Sequence, residues 1–234
     1  MRRGGAGRGG APGHCVPGPT AQAGPYPGAV PTSRIEAFSD GVLAIVITIM
    51  VLQLNVPAGT DLHALWDTTA SGALVYLLSF VYVGIYWNNH HHMFQLTERV
   101  TGGVLWANLH LLFWLSLLPF STAWMDRSHF SRTPVMVFGV DLLGAAIAYF
   151  VLQRAIVHLQ PDGGPLARAI GRDLKGKLSP VLYVAGIVAA WFGRAALDPA
   201  IWVALGFFVV TALVWLVPDR RIERVLAEEQ RADA

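Results

Sequence analysis

RIEAFSDGVLAIVITIMVL, residues 34–52, opens with one basic and two acidic side chains and then runs from Gly41 to Leu52 without a charge. Extended a little to either side, such a run reaches the roughly 20 apolar residues that an α-helix needs to cross about 30 Å of hydrocarbon. Six stretches of this kind follow one another, at approximately 35–56, 72–94, 104–125, 135–157, 179–197 and 199–217. Only a short turn at Asp198 and Pro199 separates the last two, which read as a helical hairpin. With 54% hydrophobic and 14% charged residues, the chain is too apolar for an ordinary soluble domain of its length. The expected fold is an all-α membrane protein with six transmembrane helices per subunit.

The cations orient it. Fourteen of the seventeen Lys and Arg residues precede helix 1, lie between helices 2 and 3 or 4 and 5, or follow helix 6. Arg127, Arg132 and Arg194 fall on the other side, which puts both termini in the cytoplasm of a multi-pass protein. Basic residues spread over four segments form no stripe, so nucleic-acid binding is not expected. The single cysteine, Cys15, has no partner in the chain for a disulfide. The bias toward Arg over Lys in an Ala- and Gly-rich chain points to a GC-rich bacterial source.

Residues 1–32 are dense in Gly, Pro and Ala and read as a disordered N-terminal tail, without the apolar core of a signal peptide. Residues 33–218 form the six-helix transmembrane domain, and 219–234 a charged C-terminal tail on the cytoplasmic side. The polar segment Gln160 to Lys177, broken by Pro161, Gly163, Gly164 and Pro165, reads as the main cytoplasmic loop.

Ionisable groups inside a span cost about 2.5–3.5 kcal/mol each on insertion scales, so their placement is informative. Helix 1 opens with Arg34, Glu36, Phe38, Ser39 and Asp40; helix 2 closes with Trp87, Asn88, Asn89, His90, His91 and His92; helix 3 starts near Asn108 and His110. The charge bias places all three ends at one depth. They are therefore expected to form a buried hydrogen-bonded network in which Arg34 and Asp40 pair with each other or with Asn89, His90 and Asn108. Consecutive histidines on a helix diverge by about 100°, unlike an i, i+4 pair, so no metal site is assigned to them. Asp141 in helix 4 is a separate buried acid, readable as a proton-binding group or as a satisfied structural carboxylate.

Beyond Asp40, residues Gly41, Ile45, Thr48, Leu52 and Asn55 share one face of helix 1. Periodicity alone fits either a packing stripe or the lining of a water-filled path.

Taken together, RIEAFSDGVLAIVITIMVL, YWNNHHHMF (residues 86–94) and NLHLLFWLSLLPFSTAW (residues 108–124) resemble the bacterial members of the transmembrane protein 175 family, potassium channels related to the endolysosomal channel of animals. The resemblance spans residues 34–217 and implies a homotetramer with its pore lined by helix 1. It implies a potassium-selective or potassium-preferring channel of the bacterial plasma membrane, with no enzyme activity, no cofactor and the potassium ion as permeant. The TVGYG loop of ordinary potassium channels is absent. By the same resemblance Arg34, Phe38, Ser39 and Asp40 anchor helix 1 against Trp87, Asn89 and His90 or His91. Ile45 and Leu52 then form the hydrophobic constriction, and Thr48 a polar ring that touches the ion in passing. The competing reading is a proton-coupled secondary transporter using Asp40, Asp141 and the histidines.

Overall fold

A computed structural model describes residues 31–97, 100–160, 164–170, 174–194 and 198–216, and its regular structure is entirely helical. The elements are α1 (Thr32–Leu52), α2 (Leu62–Gln95), α3 (Gly102–Arg127), α4 (Arg132–Val157), α5 (Pro165–Ile170), α6 (Leu174–Phe192) and α7 (Pro199–Leu216). Apart from Pro31 and Thr32, the tails expected at 1–32 and 219–234 lie outside the described residues. α1 begins one residue inside the segment read as tail.

The all-α fold agrees with the sequence, but several boundaries move. α2 is 34 residues long, about 51 Å, and starts ten residues before the expected span. Its start is set by a cap rather than by apolarity: the Asp61 side chain accepts from the Ala64 backbone N–H at 2.8 Å, and polar residues then continue the helix outside the apolar run. The loop read at 160–177 contains a short helix, α5, and α6 begins at Leu174, ahead of its apolar stretch. Among the described residues, α1 to α4 and α7 are long and apolar enough to cross a membrane. α6 is comparable in length but carries Lys175 and Lys177 in its first turn.

α4 is the centre of the bundle, with α3 on one side and the α6–α7 pair on the other. Gly144 lets α3 and α4 approach, for a Cβ there would meet the Trp114 ring at 2.3 Å. α6 and α7 pair antiparallel: Ser179 meets Trp215, Gly186 meets Phe208 and Gly193 meets Ile201. Tyr82, Phe138, Tyr183 and Phe208, from four helices, meet with ring centroids 5.6 to 6.5 Å apart. The Tyr82 hydroxyl donates to the Phe208 carbonyl at 2.5 Å, so the ring cluster also satisfies a buried polar group.

α1 sits at the edge, packed chiefly on α3 and α2. It buries Ile35, Ser39, Leu43, Val46 and Met50, one stripe at helical spacing, and leaves the opposite face uncovered.

Candidate functional site

The site is built where the start of α1, the end of α2 and the start of α3 meet. Ser39 is fully buried, and Asn108 and His90 nearly so. Asn108 Nδ2 donates to Ser39 Oγ at 3.0 Å, and Asn108 Oδ1 lies 2.8 Å from His90 Nε2. An amide oxygen only accepts, so His90 carries a proton on Nε2. The result is a chain of hydrogen bonds tying three helices together without an ion pair, which avoids the desolvation cost of burying two charges. His90 also packs on Phe94, with ring centroids 4.5 Å apart.

A more exposed layer lies over it. Trp87 Nε1 donates to Asp40 Oδ1 at 2.9 Å, and the indole stacks on His91 with planes 11° apart. Gln95 Nε2 donates to His91 Nε2 at 2.9 Å, which puts any neutral-ring proton on Nδ1, 3.8 Å from Glu36 Oε1. Glu36 and Gln95 thus belong to this layer although the sequence reading did not assign them. The signals were present: Glu36 is one turn before Asp40, and Gln95 one turn after His91.

Two expected members are placed otherwise. Asn89 turns its amide onto the Ile85 carbonyl of its own helix at 2.7 Å and makes no bond to α1. Arg34 is exposed, and none of the ion pairs among the described residues joins it to Asp40, whose partner is Trp87. Asp40 is solvent-accessible in the single chain, and an indole N–H supplies a donor without a second charge to desolvate. His110 accepts from Trp114 Nε1 at 3.0 Å on its own helix, and His92 lies 3.4 Å from Gln95 Oε1.

Along the uncovered face of α1 stand Phe38, Gly41, Ile45, Thr48 and Leu52, with Ile45 59% and Leu52 82% exposed. Thr48 Oγ1 donates back to the Ile45 carbonyl at 2.9 Å, so the oxygen's lone pairs remain available outward. Asn55 does not share this face as helix, because α1 ends at Leu52; its carbonyl instead accepts from Thr69 Oγ1 at 2.8 Å. Asp141 is 3% exposed; its Oδ2 accepts from Ser121 Oγ at 2.8 Å, and its Oδ1 has no protein donor.

The chain is similar to several known proteins. The profile described as the endosomal/lysosomal potassium channel TMEM175 matches residues 34–119, the α1–α3 segment that contains the site. A potassium channel of a Chryseobacterium species is 48% identical over 195 residues, covering 83% of this chain and 97% of the relative. The endosomal/lysosomal proton channel TMEM175 of Gallus gallus is 30% identical over 198 residues, 77% of this chain and 36% of that longer protein. Among solved structures, the crystal structure of a lysosomal potassium-selective channel TMEM175 homologue from Chamaesiphon minutus superposes with a TM-score of 0.65 at 29% identity, over 80% of this chain and 96% of that one.

Proposed function

From the premise that this chain belongs to the TMEM175 channel family, we propose that it is a potassium channel whose conduction path is lined by α1. Its relatives are named as channels, which favours passive conduction over the coupled transport that the buried acids and histidines also suggested. The observation that carries the location of the path is the two-sidedness of α1. One face is bonded and packed into its own subunit, and the opposite face, Gly41 to Leu52, is uncovered along the whole helix.

One copy of the motif per chain calls for several chains around the path, and a closed homotetramer with α1 at its axis buries this face four times. In that arrangement Ile45 and Leu52 form apolar rings that close the path by dewetting. Four Thr48 hydroxyls between them replace part of the hydration shell of a passing potassium ion. Arg34 and Phe38 lie at the entrance, and the Ser39, His90, Asn108 chain fixes the rotation of α1 so that Thr48 points inward. Asp40, with Trp87 and His91, braces the same end. In this reading α6 is the sixth span, with Lys175 and Lys177 snorkelling to the interface. The charge bias supports cytoplasmic termini in a bacterial plasma membrane.

Purified protein in liposomes under an imposed voltage tests the proposal. Potassium flux that follows the voltage without a pH gradient is expected. Flux that requires a pH gradient and saturates with substrate rejects the channel in favour of a transporter.

A further inference from the structure

Helices α2, α4, α6 and α7 line a narrow, partly open cleft to which no α1 residue contributes. It lies toward the ends of α2, α4 and α7 and the start of α6. In a packed bundle a cleft of this kind holds either water or part of a larger molecule.

Its walls say what. Tyr86 and Gln153 both face it and are 8% and 9% exposed. Neither the Tyr86 hydroxyl nor the Gln153 amide has a side-chain hydrogen-bond partner among the described residues. Other polar groups along the wall are already engaged: the Ser179 hydroxyl donates to the Lys175 carbonyl and accepts from Trp215 Nε1, and Tyr82 donates to Phe208. Both groups are open to the cleft and unmet by the protein, so an occupant that offers acceptors can pair with them. The lining contains no carboxylate and no cation, so the enclosed moiety is uncharged. Cationic groups begin at the rim, where the Arg154 guanidinium stands 5.0 Å over the ring of Phe150, itself part of the wall.

We propose that this cleft binds the glycerol-ester region of an anionic phospholipid. Ester carbonyls, which only accept, receive the Tyr86 hydroxyl and the Gln153 amide. The headgroup phosphate sits at the rim beside Arg154, and the acyl chains leave between the helices into the bilayer. The cleft is too small for a whole lipid, which suits an occupant that enters from the membrane with its polar waist only. The proposal rests on the chain being embedded in a bilayer and not on the pore along α1.

The test uses the full chain, purified in detergent, depleted of lipid and incubated with phosphatidylglycerol, with retained lipid counted by native mass spectrometry. Wild type is expected to keep phosphatidylglycerol in preference to phosphatidylcholine. Tyr86→Phe and Gln153→Leu should each weaken retention about tenfold, about 1.4 kcal/mol. A photoreactive phosphatidylglycerol added to wild type should label peptides of α2, α4, α6 or α7, a readout that survives if a variant fails to fold. Unchanged retention in both variants, equal retention of phosphatidylcholine, or labelling confined to other helices overturns the proposal, the first pointing to a water-filled cleft. Potassium flux in the same preparations separates the outcomes, since loss of the lipid site with conduction intact leaves the channel reading standing.

Discussion

Replacing Asn108 by Leu tests the anchor most directly, because Asn108 is the only member bonded to both other helices. The substitution removes two hydrogen bonds, of 2.8 and 3.0 Å, and leaves His90 Nε2–H buried without an acceptor. Ser39 can turn back onto its own helix, so its loss is smaller. An orphaned buried polar group costs about 1–3 kcal/mol, and hydrogen bonds measured in bilayers average about 0.6. A combined loss of about 2–3 kcal/mol follows, equivalent to about 5–10 °C in melting temperature on the scale of soluble domains of similar length. Thermal melting in detergent reads it. Removing the whole chain behaves differently: Ser39→Ala, His90→Phe and Asn108→Leu together leave no orphan and should recover stability to within about 1 kcal/mol of wild type. The triple variant should still conduct abnormally, since apolar contact does not fix the rotation of α1. A triple variant no more stable than the single one, or a single variant melting with wild type, refutes the orphaned-group reasoning.

Ile45→Asn is expected to raise potassium leak into liposomes more than Leu52→Asn; equal leak or none removes Ile45 from the constriction. Thr48→Val, close to isosteric, should lower the permeability ratio of potassium to sodium in bilayer recordings, and an unaltered ratio argues against the hydroxyl ring. Gly144→Ala places a methyl 2.3 Å from the Trp114 ring, and overpacking of this kind costs about 1–3 kcal/mol, visible as a lowered melting temperature. The Asp198 carboxyl, accepting from the backbone N–H of Ala200 and Arg194, is held below its ordinary value of 3.8. A depressed carboxylate stabilises the native state above the unfolded pKa, and that contribution is lost as pH falls below 3.8 through the lowered value. Faster intrinsic-corrected hydrogen exchange at the Ala200 amide is therefore expected in acid for wild type, and a pH-independent correction in Asp198→Asn.

The apolar middle of the helices is legible in the sequence because apolar runs are long and one-dimensional. Their ends are not legible there because ends depend on single residues: Asp61 caps ten more residues onto α2, and α6 starts at Leu174, ahead of Lys175 and Lys177. In the site, Ser39, His90 and Asn108 were legible as polar groups arriving at one depth on three helices. Which atom bonds which was not. Asp40 had a cation six residues away in sequence, yet its partner is an indole on another helix, and Asn89 satisfies itself on its own backbone. Such choices depend on side-chain rotamers and on the rotation of one helix against the next. The cleft is invisible in the sequence for a related reason: no one-dimensional pattern brings Tyr86 and Gln153 together until four helices are assembled around them.

The position of the anchor also bears on how the path opens. Ser39 and Asp40 are bonded into the subunit, whereas beyond them α1 is held by apolar contacts, chiefly of Leu43, Val46 and Met50, and a Cβ at Gly41 would meet nothing within 4 Å. Apolar contacts tolerate sliding; a hydrogen bond of fixed geometry does not, so a tilt of α1 pivots near Ser39. At 1.5 Å per residue Ile45 lies about 9 Å and Leu52 about 20 Å from that pivot, so a tilt of about 10° moves them about 1.6 and about 3.4 Å. The Leu52 ring therefore clears the path early in the motion, and the Ile45 ring, which moves half as far, is the last barrier to wet. That lever is why a polar side chain at Ile45 should open the closed channel more than the same change at Leu52, although both residues contribute an apolar ring.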